Sequence, residues 1–220
     1  MIVIVAICTI GKIRIEHELA MLAQNWPLGH GRGFSAPRGY GIQDARNIAV
    51  KDAETQGADA IMFYDDDMIP TSPNALMKLI TAMDQNPEMD VIAGVYPRRT
   101  DVPEPVVEKE SGQGAFWGWE DGEIHQVWMV GTGFTLYRMS AFDKLDVPTD
   151  KIQPVEYEEA VECRRIFEID TGTDDFHFAM AAQKVGIKQY VHGGVICHQI
   201  GLDGETWKVS DARVRVPQAV

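Results

Sequence analysis

A short apolar run that ends in three consecutive acids constrains this chain more than any other feature: Ala60-Ile61-Met62-Phe63-Tyr64 is followed at once by Asp65-Asp66-Asp67. Residues 61–64 read as a strand covered on both faces, because a brief continuous apolar segment bounded by polar residues suits the middle of a parallel sheet. Open α/β sheets bind ligands outside the carboxyl ends of their strands, so the acids stand where a ligand would. Three adjacent carboxylates repel one another and are tolerated when solvated or when a cation neutralises them. Hard divalent ions take oxygen ligands and share them with substrate phosphates. The run is therefore either a metal–diphosphate site or a solvated acidic loop.

The elements around it alternate. Residues 1–8 read as a first buried strand, and residues 13–25 carry helical spacing in Ile15, Leu19 and Leu22. Residues 26–40, rich in Gly and Pro, read as a loop with room for a short strand. Residues 42–56 form a second helix with Ile48 and Ala49 inward and Gly57 as its stop. Ser72-Pro73 predicts a capped third helix reaching residue 85, with a strand over 91–96. Strand and helix in alternation imply an α/β layer on a mostly parallel sheet. The second half differs. Residues 98–114 read as a loop, 116–119 and 124–130 as two strands about the turn Glu120-Asp121-Gly122, and 134–137 as another strand. Residues 149–165 look irregular, 173–185 form an amphipathic helix, and 187–192 and 195–198 two last strands. The chain of 220 residues suits one domain: a nucleotide-binding half over 1–97, a catalytic and acceptor half over 98–200, and a tail or lid over 201–220.

Charge narrows the function. Lys plus Arg total 20 against 33 Asp plus Glu, a net charge of −13, which excludes nucleic acid as an electrostatic partner and disfavours anionic lipid. An anionic substrate must be held by a metal, by a few placed basic groups or by backbone N–H groups. No stretch is apolar enough for a membrane span, and the start lacks a basic leader and a cleavage site. Cys8, Cys163 and Cys197 have neither CxxC nor zinc spacing, so buried free thiols and a cytoplasmic setting are expected.

Four further groups accompany the acids in order: Gln43-Asp44-Ala45-Arg46-Asn47, Val130-Gly131-Thr132-Gly133-Phe134, Thr173-Asp174-Asp175-Phe176, and Val195-Ile196-Cys197-His198. Each has a plain structural use. Arg46 could be a surface helix residue in an ion pair. Asp174 could be a helix cap, which leaves Asp175 over, since one cap needs one acid. Gly131 and Gly133 could mark a bulge or let a sugar approach the backbone. His198 could be a strand-end histidine or a metal ligand. Arg98 and Arg99 follow a strand that should end on the ligand side, where they would offset phosphate charge or meet an acceptor. Trp117, Trp119 and Trp128 serve either core packing or sugar stacking.

In this order the set resembles the GT-A glycosyltransferases, in particular the bacterial family-two enzymes, over most of the chain. The resemblance implies a Rossmann-like, nucleotide-sugar-binding α/β sandwich with a mixed central sheet. It implies a metal-dependent, inverting transfer of a sugar from a nucleotide-diphosphate sugar to the hydroxyl of an acceptor of unknown kind. Asp65 and Asp67 match the acids of a DxD motif, the first near ribose or sugar and the last on Mn²⁺ or Mg²⁺, with Asp66 able to take part because the triplet leaves the register open. Arg46 matches a residue near the nucleotide or phosphates, and Thr9 one near the nucleobase. Asp174-Asp175 match the acidic pair that supplies the base, Asp175 the better candidate, and His198 matches a histidine that completes the metal site. Two alternatives stay open: a sugar nucleotidyltransferase, faintly suggested by Ile10-Gly11-Lys12 after the first strand, and a non-catalytic nucleotide- or sugar-binding module.

Overall fold

The computed structural model describes residues 1–9, 11–153, 160–169, 172–201 and 203–209. The order is β1 (Ile2–Ala6), α1 (Ile15–Leu22), β2 (Gly31–Ser35), α2 (Ile42–Thr55), β3 (Ala60–Tyr64), β4 (Met68–Pro70), α3 (Ala75–Gln85), β5 (Val91–Val95) and β6 (Val107–Glu108). A 3₁₀ turn (Gly118–Asp121) leads to β7 (Ile124–Val127), β8 (Met129–Val130), β9 (Phe134–Arg138), α4 (Met139–Phe142), β10 (Thr149–Ile152), β11 (Val161–Arg164), α5 (Asp174–Val185), β12 (Gln189–Ile200) and β13 (Thr206–Trp207).

Among the described residues, nine strands form one mixed sheet with the path β13-β12-β5-β9-β3-β1-β2, and β4 and β7 pair with β12 beside it. The parallel part, β2-β1-β3, needs both faces covered, and its sequence alternates between two cores. Ile4, Ala6, Ile61 and Phe63 face one core with Ile48, Ala49 and Ala53 of α2 and Phe178 of α5. Val3, Val5, Met62 and Tyr64 face the other with Leu76, Leu79 and Met83 of α3. β9, from the second half of the chain, lies antiparallel between β3 and β5. The mixed central sheet expected from the resemblance is present.

Local expectations fared unevenly. The face of α1 that carries Ile15, Leu19 and Leu22 is exposed, and the residue it buries is His17, edge-on to Tyr64 at 4.7 Å. Ser72 does not cap α3 directly: its hydroxyl accepts the Asn74 N–H at 3.2 Å in a turn that precedes the helix. Residues 116–119, expected as a strand, enter the 3₁₀ turn instead. The two expected last strands are one, β12, whose pairing with β5 shifts register between Val191 and Ile196. Gly193 in that shift is obligatory, because a Cβ there would stand 1.8 Å from the Trp119 carbonyl oxygen. Part of 149–165 forms the ladder β10–β11; residues 154–159 lie outside the described residues, as do Ile10 and the tail from 210 on. Cys8, Cys163 and Cys197 are buried and free. No described helix is long and apolar enough to cross a membrane.

Asn47 on α2 fixes the segment that leads into α5. Its side-chain oxygen accepts the N–H groups of Ile166 and Phe167, each at 2.9 Å, and its amide donates to the Phe167 carbonyl at 2.9 Å. Asn47→Ala strands three buried backbone groups and should destabilise the fold by about 3 kcal/mol. Denaturant unfolding checks this; a midpoint unchanged at constant slope would mean the segment is held by packing alone.

Candidate functional site

The three acids sit on a turn because β3 cannot continue. The Asp65 carbonyl accepts the Met68 N–H at 3.0 Å, closing the turn, and β4 then runs back antiparallel to the end of β12. The backbone is fixed on both sides: the Asp65 N–H donates to the Gly133 carbonyl at 2.8 Å, and the Asp67 carbonyl accepts the Ile200 N–H at 2.9 Å.

Arg46 lies under this turn, 4% exposed. Its Nη2 donates to Asp65 at 2.7 Å and its Nη1 to Asp174, the first residue of α5. Arg46 is thus not a surface residue. It is a buried brace between two acids from distant parts of the chain. Asp174 is correspondingly tied down by Arg46, and Thr173 holds the cap position. Breaking one arm of such a buried pair leaves an uncompensated charge.

Asp65, Asp66 and Asp67 line a cleft of about 730 Å³ together with Thr9, Lys12, Arg14, Arg99 and Gln199. The hydroxyl of Thr9, at the end of β1, accepts the Gly11 N–H at 3.1 Å. Asp67 receives Gln199 Nε2 at 2.9 Å and Arg99 Nη1 at 3.2 Å on Oδ2. Burial, and next the charge of Asp65, push the Asp67 carboxyl up to about 6, against the pull of Gln199 and Arg99. Burial likewise raises Asp65, with Arg46 pulling the other way. Burial, and next the charge of Asp65, push the Cys8 thiol up, so that it is neutral in the free protein.

The Oδ1 atoms of both Asp65 and Asp67 are buried without a hydrogen-bond partner among the described residues. Two such oxygens on one turn fit a hard divalent cation that takes its other ligands from phosphates and water. A complete protein cage is not assembled: among the described residues no three His, Cys, Asp or Glu side chains meet as a metal-ligand group. His198 pairs with Ile69 in the β12–β4 ladder, and the residue on β12 that reaches Asp67 is its neighbour Gln199, which lines the cleft where His198 does not.

A second cavity, of about 570 Å³, opens beside the first, and Arg99 and Gln199 line both. Its wall includes Asp175, Phe176, Tyr96, Arg98 and Glu108. Asp175 accepts the Thr173 hydroxyl and, at 3.0 Å, the Phe176 N–H on Oδ1. Burial raises both Tyr96 and Asp65, and the charge of Asp175 adds to each. Gly131 and Gly133 are buried, and their close neighbours are protein. A Cβ on Gly131 would fall 2.1 Å from the Tyr96 hydroxyl, and one on Gly133 would fall 3.1 Å from Asp65. The Tyr96 hydroxyl accepts the Gly133 N–H at 2.9 Å. These glycines let Tyr96 and the acid turn pack together. The sequence singled out the acids, Thr9, Arg46, Arg99 and the Asp pair of α5; it missed Gln199, Tyr96 and Arg14, because single polar residues at strand and loop ends carry no pattern.

The family described as Glycosyl transferase family 2 matches residues 17–146, which span α1 to just past α4 and include the acid turn and Arg46. Among solved structures, the chain is similar to A197 from STIV, with TM-score 0.61 and 17% identity over 94% of each chain. It is also similar to GalNAc-T7, solved with UDP, GalNAc and Mn²⁺, with TM-score 0.50 and 11% identity, covering 91% of this chain and 43% of that one. No curated protein matches. These identities speak for the fold alone. The family match covers more than half of the chain: it belongs to glycosyl transferase family 2, and it is a glycosyltransferase of the GT-A fold.

Proposed function

We propose that the chain is a metal-dependent, inverting glycosyltransferase that moves a sugar from a nucleotide-diphosphate sugar to an acceptor hydroxyl. The observation that carries this is the meeting of two clefts at Arg99 and Gln199, one holding the acids and the other holding Asp175. The first is the donor cleft, with Thr9 and Asp66 toward the nucleoside and Lys12, Arg14 and Arg99 toward the diphosphate. The second is the acceptor cleft. GalNAc-T7, solved with UDP and Mn²⁺, supports a divalent ion and a nucleotide in a fold of this kind.

Asp65 and Asp67 would hold Mn²⁺ or Mg²⁺ through their partnerless oxygens, with His198 a further candidate ligand. When bound, the ion supplies positive charge that stabilises the departing diphosphate. Asp175 takes the proton from the acceptor hydroxyl as its oxygen bonds to the anomeric carbon and the carbon–oxygen bond to phosphate breaks. A diphosphate leaves well without protonation, so one carboxylate does the proton transfer where glycoside hydrolysis uses two. Arg46 does not touch substrate in this reading; it keeps Asp65 and the start of α5 at a fixed separation.

Calorimetry with UDP-, GDP-, dTDP- and CDP-sugars, each with Mn²⁺ and with EDTA, tests the donor site. One donor should bind only with Mn²⁺, and Asp67→Ala should abolish that binding. Failure of all four would leave a binding module with a degenerate site, and preference for nucleoside triphosphates would favour a nucleotidyltransferase.

Protons and the ion compete for Asp67. Mn²⁺ affinity of the free protein should therefore fall as pH drops through about 6, the value to which burial lifts this carboxyl. Because that value lies above the ordinary carboxylate range, stability that Asp67 provides in its neutral form is lost as pH rises through it. Asp67→Asn should accordingly melt higher than wild type at pH 8 without metal, and the gain should vanish near pH 4. A pH-independent Mn²⁺ affinity between 5 and 7 would remove Asp67 from the ligand set.

Asp175→Asn keeps the shape of the side chain and removes the base. Turnover should fall by about 10²–10⁴-fold while donor affinity stays unchanged. Retained turnover would assign the proton transfer elsewhere.

A further inference from the structure

A third cleft, of about 560 Å³, lies beyond the acceptor cavity and is lined by Lys109, Gln126, Trp128, Gln183, Lys188 and Gln189, among others. Neither the acids nor Asp175 reach it. Its walls are nevertheless continuous with the acceptor cavity. Trp128 packs edge-to-face on Phe176, ring centroids 5.4 Å apart, and Phe176 lines the acceptor cavity beside Asp175. Glu108 and Met129 line that cavity, and the residues adjoining them, Lys109 and Trp128, line this one.

The cleft is built, with its polar groups held in place. Trp128 Nε1 donates to Gln183 Oε1 at 3.2 Å, which fixes the indole at its edge. Gln189 is 3% exposed; its amide donates to the Trp128 carbonyl at 2.6 Å, and its Oε1 is buried with no partner among the described residues. Lys109 Nζ donates to the Gln126 carbonyl at 2.8 Å. An aromatic body, several amides that both donate and accept, and no dominant charge make a set that matches one ligand chemistry. A sugar ring has an apolar C–H face for an indole and hydroxyls that each donate and accept. A nucleotide would need the phosphate-binding groups of the donor cleft, and a lipid tail would not satisfy the amides.

We propose that this cleft binds a distal sugar of an oligosaccharide acceptor, so that the enzyme extends a glycan whose terminal residue lies at Asp175. This rests on the glycosyl-transfer reading above and names the substrate class of its acceptor side. The buried Gln189 fixes the Trp128 backbone, Trp128 offers its indole, and Gln183 and Lys188 meet hydroxyls at the rim.

The test uses the intact chain and tri- and tetrasaccharides of α- and β-linked glucose, galactose, mannose and N-acetylglucosamine, titrated by calorimetry beside the matching monosaccharides. At least one oligosaccharide series should bind more tightly than its monosaccharide. Trp128→Ala and Gln183→Ala should each weaken that binding by about tenfold while donor binding with Mn²⁺ is unchanged. Gln183 is exposed, so its variant keeps the test valid if Trp128→Ala fails to fold. If wild type binds donor but no oligosaccharide, or both variants bind it undiminished, the subsite is refuted and the transferase reading stands. If no donor binds with Mn²⁺ either, that reading fails and the subsite falls with it.

Discussion

The buried guanidinium of Arg46 is the constraint on which the site depends. It joins Asp65, at the end of β3, to Asp174, at the start of α5, partners 19 and 128 positions away in the chain. An unpaired charge at 4% exposure would be strongly unfavourable, so the two acids are needed to satisfy the arginine as much as the arginine is needed to hold them. The consequence is geometric. Wherever the sheet places β3, Arg46 and Asp174 bring the next residue, Asp175, to the wall of the adjoining cavity.

A second layer of small, close contacts sharpens that placement. Gly131 and Gly133 admit the Tyr96 ring and the Asp65 carboxylate at distances no larger residue would allow, and the Tyr96 hydroxyl closes on the Gly133 N–H. On the open side, Arg99 and Gln199 share one oxygen of Asp67 and leave the other bare. The floor of the acid cleft is a network of buried partners, while the Arg99 side chain on its rim is 45% exposed. In a chain of net charge −13, the basic groups Lys12, Arg14 and Arg99 stand with the three acids around one cleft.

The architecture brings two cavities together at one end of the sheet. β9 enters antiparallel between β3 and β5, so the Gly131–Gly133 segment that precedes it arrives at the carboxyl end of β3, beside the acids. The long β12 crosses the same end, bends at Gly193 to clear the Trp119 carbonyl, and delivers Gln199 to Asp67. The acid cleft and the Asp175 cavity thus share side chains from β12 and the Arg99 loop, and Trp128 packs on Phe176 at the far side of the second.

The sequence by itself determined the α/β class, the two-faced burial of β1 and β3, and the acids at the end of β3, because apolar periodicity and a charge cluster are local signals that any environment must respect. It also marked Arg46, the Asp pair of α5 and the Arg98-Arg99 pair as unusual. Only the tertiary structure decided what they contact. Arg46 resembles a phosphate-facing residue in sequence and is an internal brace in the fold, since its partners lie far along the chain. Gln199, which no sequence pattern marks, reaches Asp67, because strand alternation and register select the side chain. The stripe Ile15, Leu19 and Leu22 suggested a buried face and lies in solvent, while His17 is buried, because periodicity marks a face without saying what covers it. Burial, partner and direction are properties of contacts between distant segments, and those exist only once the chain has folded.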